Sequence, residues 1–326
     1  MAPGALSSFP NINRVLNLIQ DADKSKRRNA ISIIKSEVDS KLAAKEAEDI
    51  ETLLDILAPQ LSHALSDTVE SHREMIIEIL MKLISEAECI EKLVPHLLPV
   101  LVRRVAEKES VEPAEELRFG YLTVLHNIVE KCKNNKSYST EYMLILKSSV
   151  ADSYPEVKKL AFLLLRILAI KLEQAFYVKS EDIIDPIVEN ITHQHSKIRQ
   201  EAIKTIGVVM MNSPGKHVEK IIPPLTQRLF DPSPAVRKEV IDVVGSWLLN
   251  LTDRYSYHLR LIPLLLTGQQ DEFYEIRELS RDLWHDVGIK FEKENEEQLK
   301  DKLDFPIAPP DFYPSYSRPN FALVII

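Results

Sequence analysis

Apolar side chains recur along this chain with the spacing of one helical face. Counted from Val236, they fall at Val240, Val243, Val244, Trp247, Leu248 and Leu251, the stripe of an amphipathic helix. The same pattern returns at Val157, Ala161, Leu164, Leu165, Leu168, Ala169 and Leu172. It returns again at Ile76, Ile79, Leu80, Leu83 and Ile84, at Tyr121, Val124, Leu125, Ile128, Val129 and Cys132, and at Ile276, Leu283, Trp284, Val287 and Phe291. A shorter helix is predicted ahead of each stripe. Pro59, Pro186, Pro224 and Pro263 stand in these shorter segments, where a proline either kinks or starts a helix.

Between the two helices of each pair lies a turn that carries an acid and, six residues later, a base. The pairs are Asp21 with Arg27, Asp67 with Arg73, Glu112 with Arg118, Asp152 with Lys158, Asp231 with Arg237, and Asp271 with Arg277. His193 takes the acid's place ahead of Arg199. Successive bases are 46, 45, 40, 41, 38 and 40 residues apart, a period that marks a solenoid. A single helical pair cannot bury both sides of its apolar surface, so neighbouring pairs must stack. The expected fold is all-α, a right-handed α-solenoid of about seven helical hairpins.

The turn chemistry predicts more. Pro234 suits the first turn of its helix, Ser233 suits the cap, and Asp231 lies where the helix dipole favours a carboxylate. An arginine in the first helical turn gains nothing from its own dipole and needs an acid. A ladder of charge-assisted hydrogen bonds between turns is therefore expected, with Asp231 joined to Arg199 or Arg237 and Asp271 to Arg237 or Arg277. Asp67, Arg73, Asp152 and Lys158 are further candidates, and His193 weakens one rung. The alternative, a basic stripe for a partner, sits poorly with a base that always travels with an acid.

Composition narrows the function. The 326 residues are 45% hydrophobic and 28% charged with only 7 glycines, which suits helices and disfavours all-β folds. The formal charge is -8, with 49 acids and 41 bases interleaved, so the basic footprint that nucleic acid requires is missing. Cys89 and Cys132 are too few for a disulfide framework or a zinc site and read as reduced core thiols of a cytosolic protein. The N-terminus has no secretory pattern, and the apolar run from Leu160 to Leu172 is short and interrupted by Arg166. No membrane association is expected.

No chemistry-bearing motif emerges. Gly215 to His217 lacks the rest of a phosphate loop, neither G-x-S-x-G nor H-E-x-x-H occurs, and His193 with His195 lacks a third ligand. No catalytic, cofactor-binding or metal-binding residue is assigned, and Trp247 and Trp284 read as packing residues. Lys204, Lys238, Glu239 and Asp242 hold polar positions of the second helices, where a protein partner could meet them.

The turns "DSYPEVK" and "DPSPAVR" resemble those of the HEAT repeat family. "THQHSKIRQEAIKTIGVV", "LTQRLFDPSPAVRKEVIDVVGSWLLNLTDRYSYHLRLIPLLL" and "KENEEQLKDKLDF" further resemble the HEAT-repeat axonemal dynein assembly factors, the dynein axonemal assembly factor 5 family, most clearly from about Asp182 to Phe305. That resemblance implies a non-enzymatic cytoplasmic scaffold. Its expected role is preassembly of outer and inner dynein arms for motile cilia or flagella, with dynein intermediate chains and chaperones as partners. The resemblance further implies an N-terminal portion or short isoform. The expected organisation is a repeat array over 1–291, a polar charged helix over 292–304, and a proline-rich linker with an apolar terminus over 305–326. The other reading is a HEAT scaffold of another class, such as a phosphatase scaffold or nuclear transport adaptor.

Overall fold

The computed structural model describes residues 9–44, 47–108 and 111–295, and these are helical with no strand among them. The fold is the expected all-α solenoid class of stacked HEAT-type hairpins. Contacts divide the chain into two compact units, Met1–Pro186 and Ile187–Ile326.

The first unit holds α1 (Pro10–Val15), α2 (Lys24–Ala44), α3 (Ala47–Ala64), α4 (Glu70–Glu86), α5 (Val94–Ala106), α6 (Glu115–Lys131), α7 (Ser139–Val150), α8 (Pro155–Lys171) and the short α9 (Gln174–Lys179). The second helices α2, α4, α6 and α8 pack in sequence, as do the first helices α3, α5 and α7. The unit boundary falls within α10 (Glu181–Asn190). The second unit continues with α11 (Ser196–Met211), α12 (Val218–Arg228), α13 (Pro234–Asn250), α14 (His258–Thr267) and α15 (Tyr274–Glu294). Here α11, α13 and α15 pack in sequence.

The stripes are the core. Every stripe residue of α4, α6, α8 and α13 is buried, and Trp247 also donates its indole N–H to the Gly207 carbonyl at 3.0 Å. α15 differs. Ile276 and Val287 are buried, but Leu283, Trp284 and Phe291 are only half-buried, because no described helix lies on the far side of α15.

The four prolines singled out in the shorter helices do not start them. Pro59, Pro186, Pro224 and Pro263 all lie inside α3, α10, α12 and α14. Each removes the donor that would serve the carbonyl four residues earlier. Those residues, Asp55, Asp182, Lys220 and Leu259, are exposed, so water can replace the missing N–H.

Further expectations need correction. Cys132 is buried, but Cys89 is exposed beyond the end of α4. Its thiol bonds to Glu91, which pushes its pKa up. α15 runs through Glu294, so the boundary expected at 291/292 lies inside a helix. Residues 296–304 and the linker expected over 305–326 lie outside the described residues.

Candidate functional site

The turns between helices bring the acids and bases together. In the second unit Arg199 donates Nε and Nη2 to the two carboxylate oxygens of Asp231, both at 2.7 Å. Arg237 treats Asp271 the same way, at 2.7 and 3.0 Å. In the first unit Arg27 pairs with Asp67 at 2.6 and 3.1 Å, Arg73 with Glu112 at 2.7 Å twice, and Arg118 with Asp152 at 2.7 and 3.0 Å. Each is a two-pronged bond between the arginine of one turn and the acid of the next.

The in-repeat acid is used as well, but through its backbone. The remaining nitrogen, Nη1, donates to the carbonyl of the residue six earlier: Asp21, Asp67, Glu112, His193, Asp231 and Asp271 for Arg27, Arg73, Arg118, Arg199, Arg237 and Arg277. One guanidinium thus ties its own turn closed and grips the next. This division explains why acid and base stay six apart.

The acid in turn organises its own loop. Oδ1 of Asp231 accepts the Ser233 amide at 3.0 Å, and Asp67, Asp152 and Asp271 accept the amides of Val69, Tyr154 and Phe273 at 2.7, 2.8 and 2.9 Å. Ser233 makes no side-chain cap. Its own amide goes to Asp231 and its backbone carbonyl accepts the Val236 and Arg237 amides at 3.1 and 3.2 Å. His193 copies the acid's local part, since its Nδ1 accepts the His195 amide at 3.1 Å. Lys158 sends its ammonium to the Val150 carbonyl at 2.9 Å.

Burial and pairing pull the acids in opposite directions. Desolvation pushes the Asp67, Glu112, Asp231 and Asp271 carboxyls up, but bonds from Arg27, Arg73, Arg199 and Arg237 and from loop amides outweigh it. All four sit below their ordinary range. Glu112 has the densest surroundings. It is fully buried, and Arg104 and the Tyr121 hydroxyl also donate to it. Burial pushes the Tyr121 pKa up to about 12. Arg104 and Tyr121 were missed from sequence; the signal was the substitution of Glu for Asp at this turn, whose longer reach meets a second arginine.

Clefts open along the turns. One of about 350 Å³ in the first unit is lined by Asp21, Arg27, Asp67 and Thr68, and one of about 330 Å³ in the second by Phe230, Asp231, Arg237 and Asp271. On the second helices, Lys204, Lys238 and Asp242 are exposed, with Lys238 3.7 Å from Glu275. Glu239 is different: burial pushes its carboxyl up despite a 3.1 Å bond from Gln200.

A family model described as "Dynein axonemal assembly factor 5-like, TPR repeats" matches residues 18–302. The chain belongs to this family. Dynein axonemal assembly factor 5 of Xenopus laevis is 41% identical over 304 residues, covering 93% of this chain and 36% of the relative. The human dynein axonemal assembly factor 5 is 35% identical over 313 residues, covering 94% and 37%. The chain therefore spans little more than a third of these relatives. A solved structure of an engineered protein matches with a TM-score of 0.59 at 15% identity, covering 85% of this chain and 68% of that one. The assembly-factor family's model speaks of TPR repeats, whose period is about 34 residues. The steps of 38 to 46 residues in this chain and the arginine ladder follow HEAT spacing instead.

Proposed function

We propose that this chain is a non-enzymatic cytoplasmic scaffold in the preassembly of outer and inner axonemal dynein arms, and that it holds dynein intermediate chains and chaperones. Membership of the dynein axonemal assembly factor 5 family over residues 18–302 carries the reading. The chemistry of the turns supports it. Their carboxylates are committed to arginines and held ionised, which suits fixed architecture and makes them poor proton donors. Exposed charges on the second helices, among them Lys204, Lys238 and Asp242, offer a protein partner a polar surface of mixed sign.

Affinity purification of the tagged chain from the cytoplasm of cells building motile cilia, followed by mass spectrometry, tests the proposal. Axonemal dynein chains and chaperones are the expected harvest. Phosphatase subunits or nuclear transport proteins in their place would overturn it in favour of another class of HEAT scaffold.

A further inference from the structure

In the first unit the far ends of α6 and α8, away from the ladder, carry a different surface. Residues 129–140 and 169–180 hold five lysines, Lys131, Lys133, Lys136, Lys171 and Lys179, against two glutamates, in a chain whose formal charge is -8. Lys136 meets Glu173 at 2.9 Å and Lys171 meets Glu130 at 3.3 Å. Among the described residues the other three meet no carboxylate. Lys131 donates to the Ser85 and Ala87 carbonyls, Lys179 to the Ser139 and Thr140 hydroxyls, and the Lys133 side chain is exposed. A neutral acceptor fixes an ammonium without cancelling its charge. Counting Glu91, whose carboxylate accepts the Lys133 amide at 3.0 Å, lysines still outnumber acids five to three. Lys131 and Lys171 answer the carbonyl ends of helices, but Lys133 and Lys136 lie beyond α6. The bonds from Lys136 to Glu173 and from Lys179 to Ser139 join the two stretches into one surface.

Apolar side chains stand among these charges. Ile170 is 68%, Tyr177 42% and Val178 70% exposed, while Phe176 is fully buried and anchors α9. A single exposed apolar residue is ordinary, but the repeat supplies its own control. In the other second helices of this unit the residue at the place of Ile170, twelve after the base, is Asp39, Ser85 or Glu130. The connection is unusual as well. α6 is joined to α7 by a single 3₁₀ turn, Asn135–Tyr138, whereas α8 runs into α9 through Glu173 at φ 49° and ψ -117°. Glu173 is the one residue other than glycine with a positive φ among those described, and strain of that kind clusters at ligand clamps. We propose that this edge, the last turn of α8 together with α9, docks an acidic, apolar segment of a protein partner. Its bulky side chains pack on Ile170, Tyr177 and Val178, and its carboxylates meet the uncancelled charge of Lys131, Lys133 and Lys179. The patch is too small to hold a bilayer, which takes a whole helix face or two lipid anchors, but a handful of side chains suffices for a protein hot spot. It is separate from the polar positions of the second helices and does not depend on which protein supplies the segment.

Selection of a displayed random-peptide library on the full chain tests the chemistry, and the labelled consensus peptide tests the place. Enriched sequences are expected to set Asp or Glu beside Leu, Ile, Phe or Trp. In fluorescence anisotropy, Ile170→Asp and Val178→Asp should each weaken binding of the consensus peptide about tenfold. Lys133→Glu should weaken it as well and flatten its loss of affinity with salt. Both apolar side chains are mostly exposed, so Ile170→Asp and Val178→Asp should keep the parent thermal midpoint. Phe230→Asp, an equally exposed position of the second unit, should leave the affinity unchanged. A basic or uncharged consensus, no enrichment, or an affinity that survives Ile170→Asp and Val178→Asp overturns the proposal. So does binding to phosphatidylserine vesicles that Val178→Asp abolishes, since the occupant is then a membrane.

Discussion

The ladder works because of what one guanidinium can do at once. Arg199 makes two parallel bonds to Asp231 and reaches the His193 and Gln194 carbonyls with its third nitrogen. The Asp231 side chain is fully buried, with Arg228 in addition at 3.4 Å. Removing one partner of such a pair strands the other, which costs about 3–5 kcal/mol. Arg199→Ala is expected to lose stability on that scale. Arg199→Lys should recover only part of it, because an ammonium cannot fork. In urea unfolding, Asp231→Asn combined with Arg199→Ala should cost less than the sum of the singles; strict additivity would show that the rung carries no coupling. The six-residue spacing of acid and base could be read from sequence, but the choice between Arg199 and Arg237 for Asp231 could not. Spacing reports neighbours within a turn, whereas the stacking of one turn on the next is tertiary, and the structure assigns the side chain to one arginine and the carbonyl to the other. The Ser233 cap was misread because residue type marks a possible cap, whereas here the amides of Val236 and Arg237 go to the Ser233 carbonyl instead of its hydroxyl.

At the scale of elements, glycine marks where second helices approach closely. A Cβ on Gly207 of α11 would lie 2.7 and 3.2 Å from the two Cγ atoms of Val243 on α13. A helical valine is stiff at χ1 and cannot swing away, so the helices must part. Alanine brings about 1 kcal/mol of helix propensity, and overpacking costs about 1–3 kcal/mol. Gly207→Ala is therefore expected to destabilise the protein. Gly288→Ala on α15, where a Cβ would meet nothing within 4 Å among the described residues, should stabilise it by up to about 1 kcal/mol. Thermal or urea midpoints that move in the same direction would refute the packing argument. The helices themselves were legible, since 3.6-residue periodicity defines α4, α6, α8 and α13 and their buried faces residue by residue. It failed at α15, where Trp284 and Leu283 carry the right spacing yet are half-buried. A stripe records a face built for burial, and only neighbours decide whether it is covered. Cys89 misled for the opposite reason: it falls outside any stripe, where residue type alone suggested a core position.

For the whole molecule, the paired acids set how stability responds to pH. Asp67, Glu112, Asp231 and Asp271 have folded-state values below their ordinary range. Below about pH 4 the unfolded chain therefore binds protons that the folded one resists. Their contribution is fully present above the unfolded values and is lost as pH falls through the folded ones. Glu239 acts in the opposite sense: its raised value gives stability at low pH that disappears as pH rises through it. Four acids oppose one, and each of the four also holds a loop amide or a second arginine in place. The expected profile is a urea midpoint that is nearly level from about pH 5 upward and falls steeply below about pH 4 at constant ionic strength. Asp231→Asn should flatten that fall as well as lower the plateau, because the amide has no proton to take up. A midpoint at acid pH equal to that at neutrality would mean that the buried rungs contribute nothing net, with desolvation cancelling every bond the arginines make.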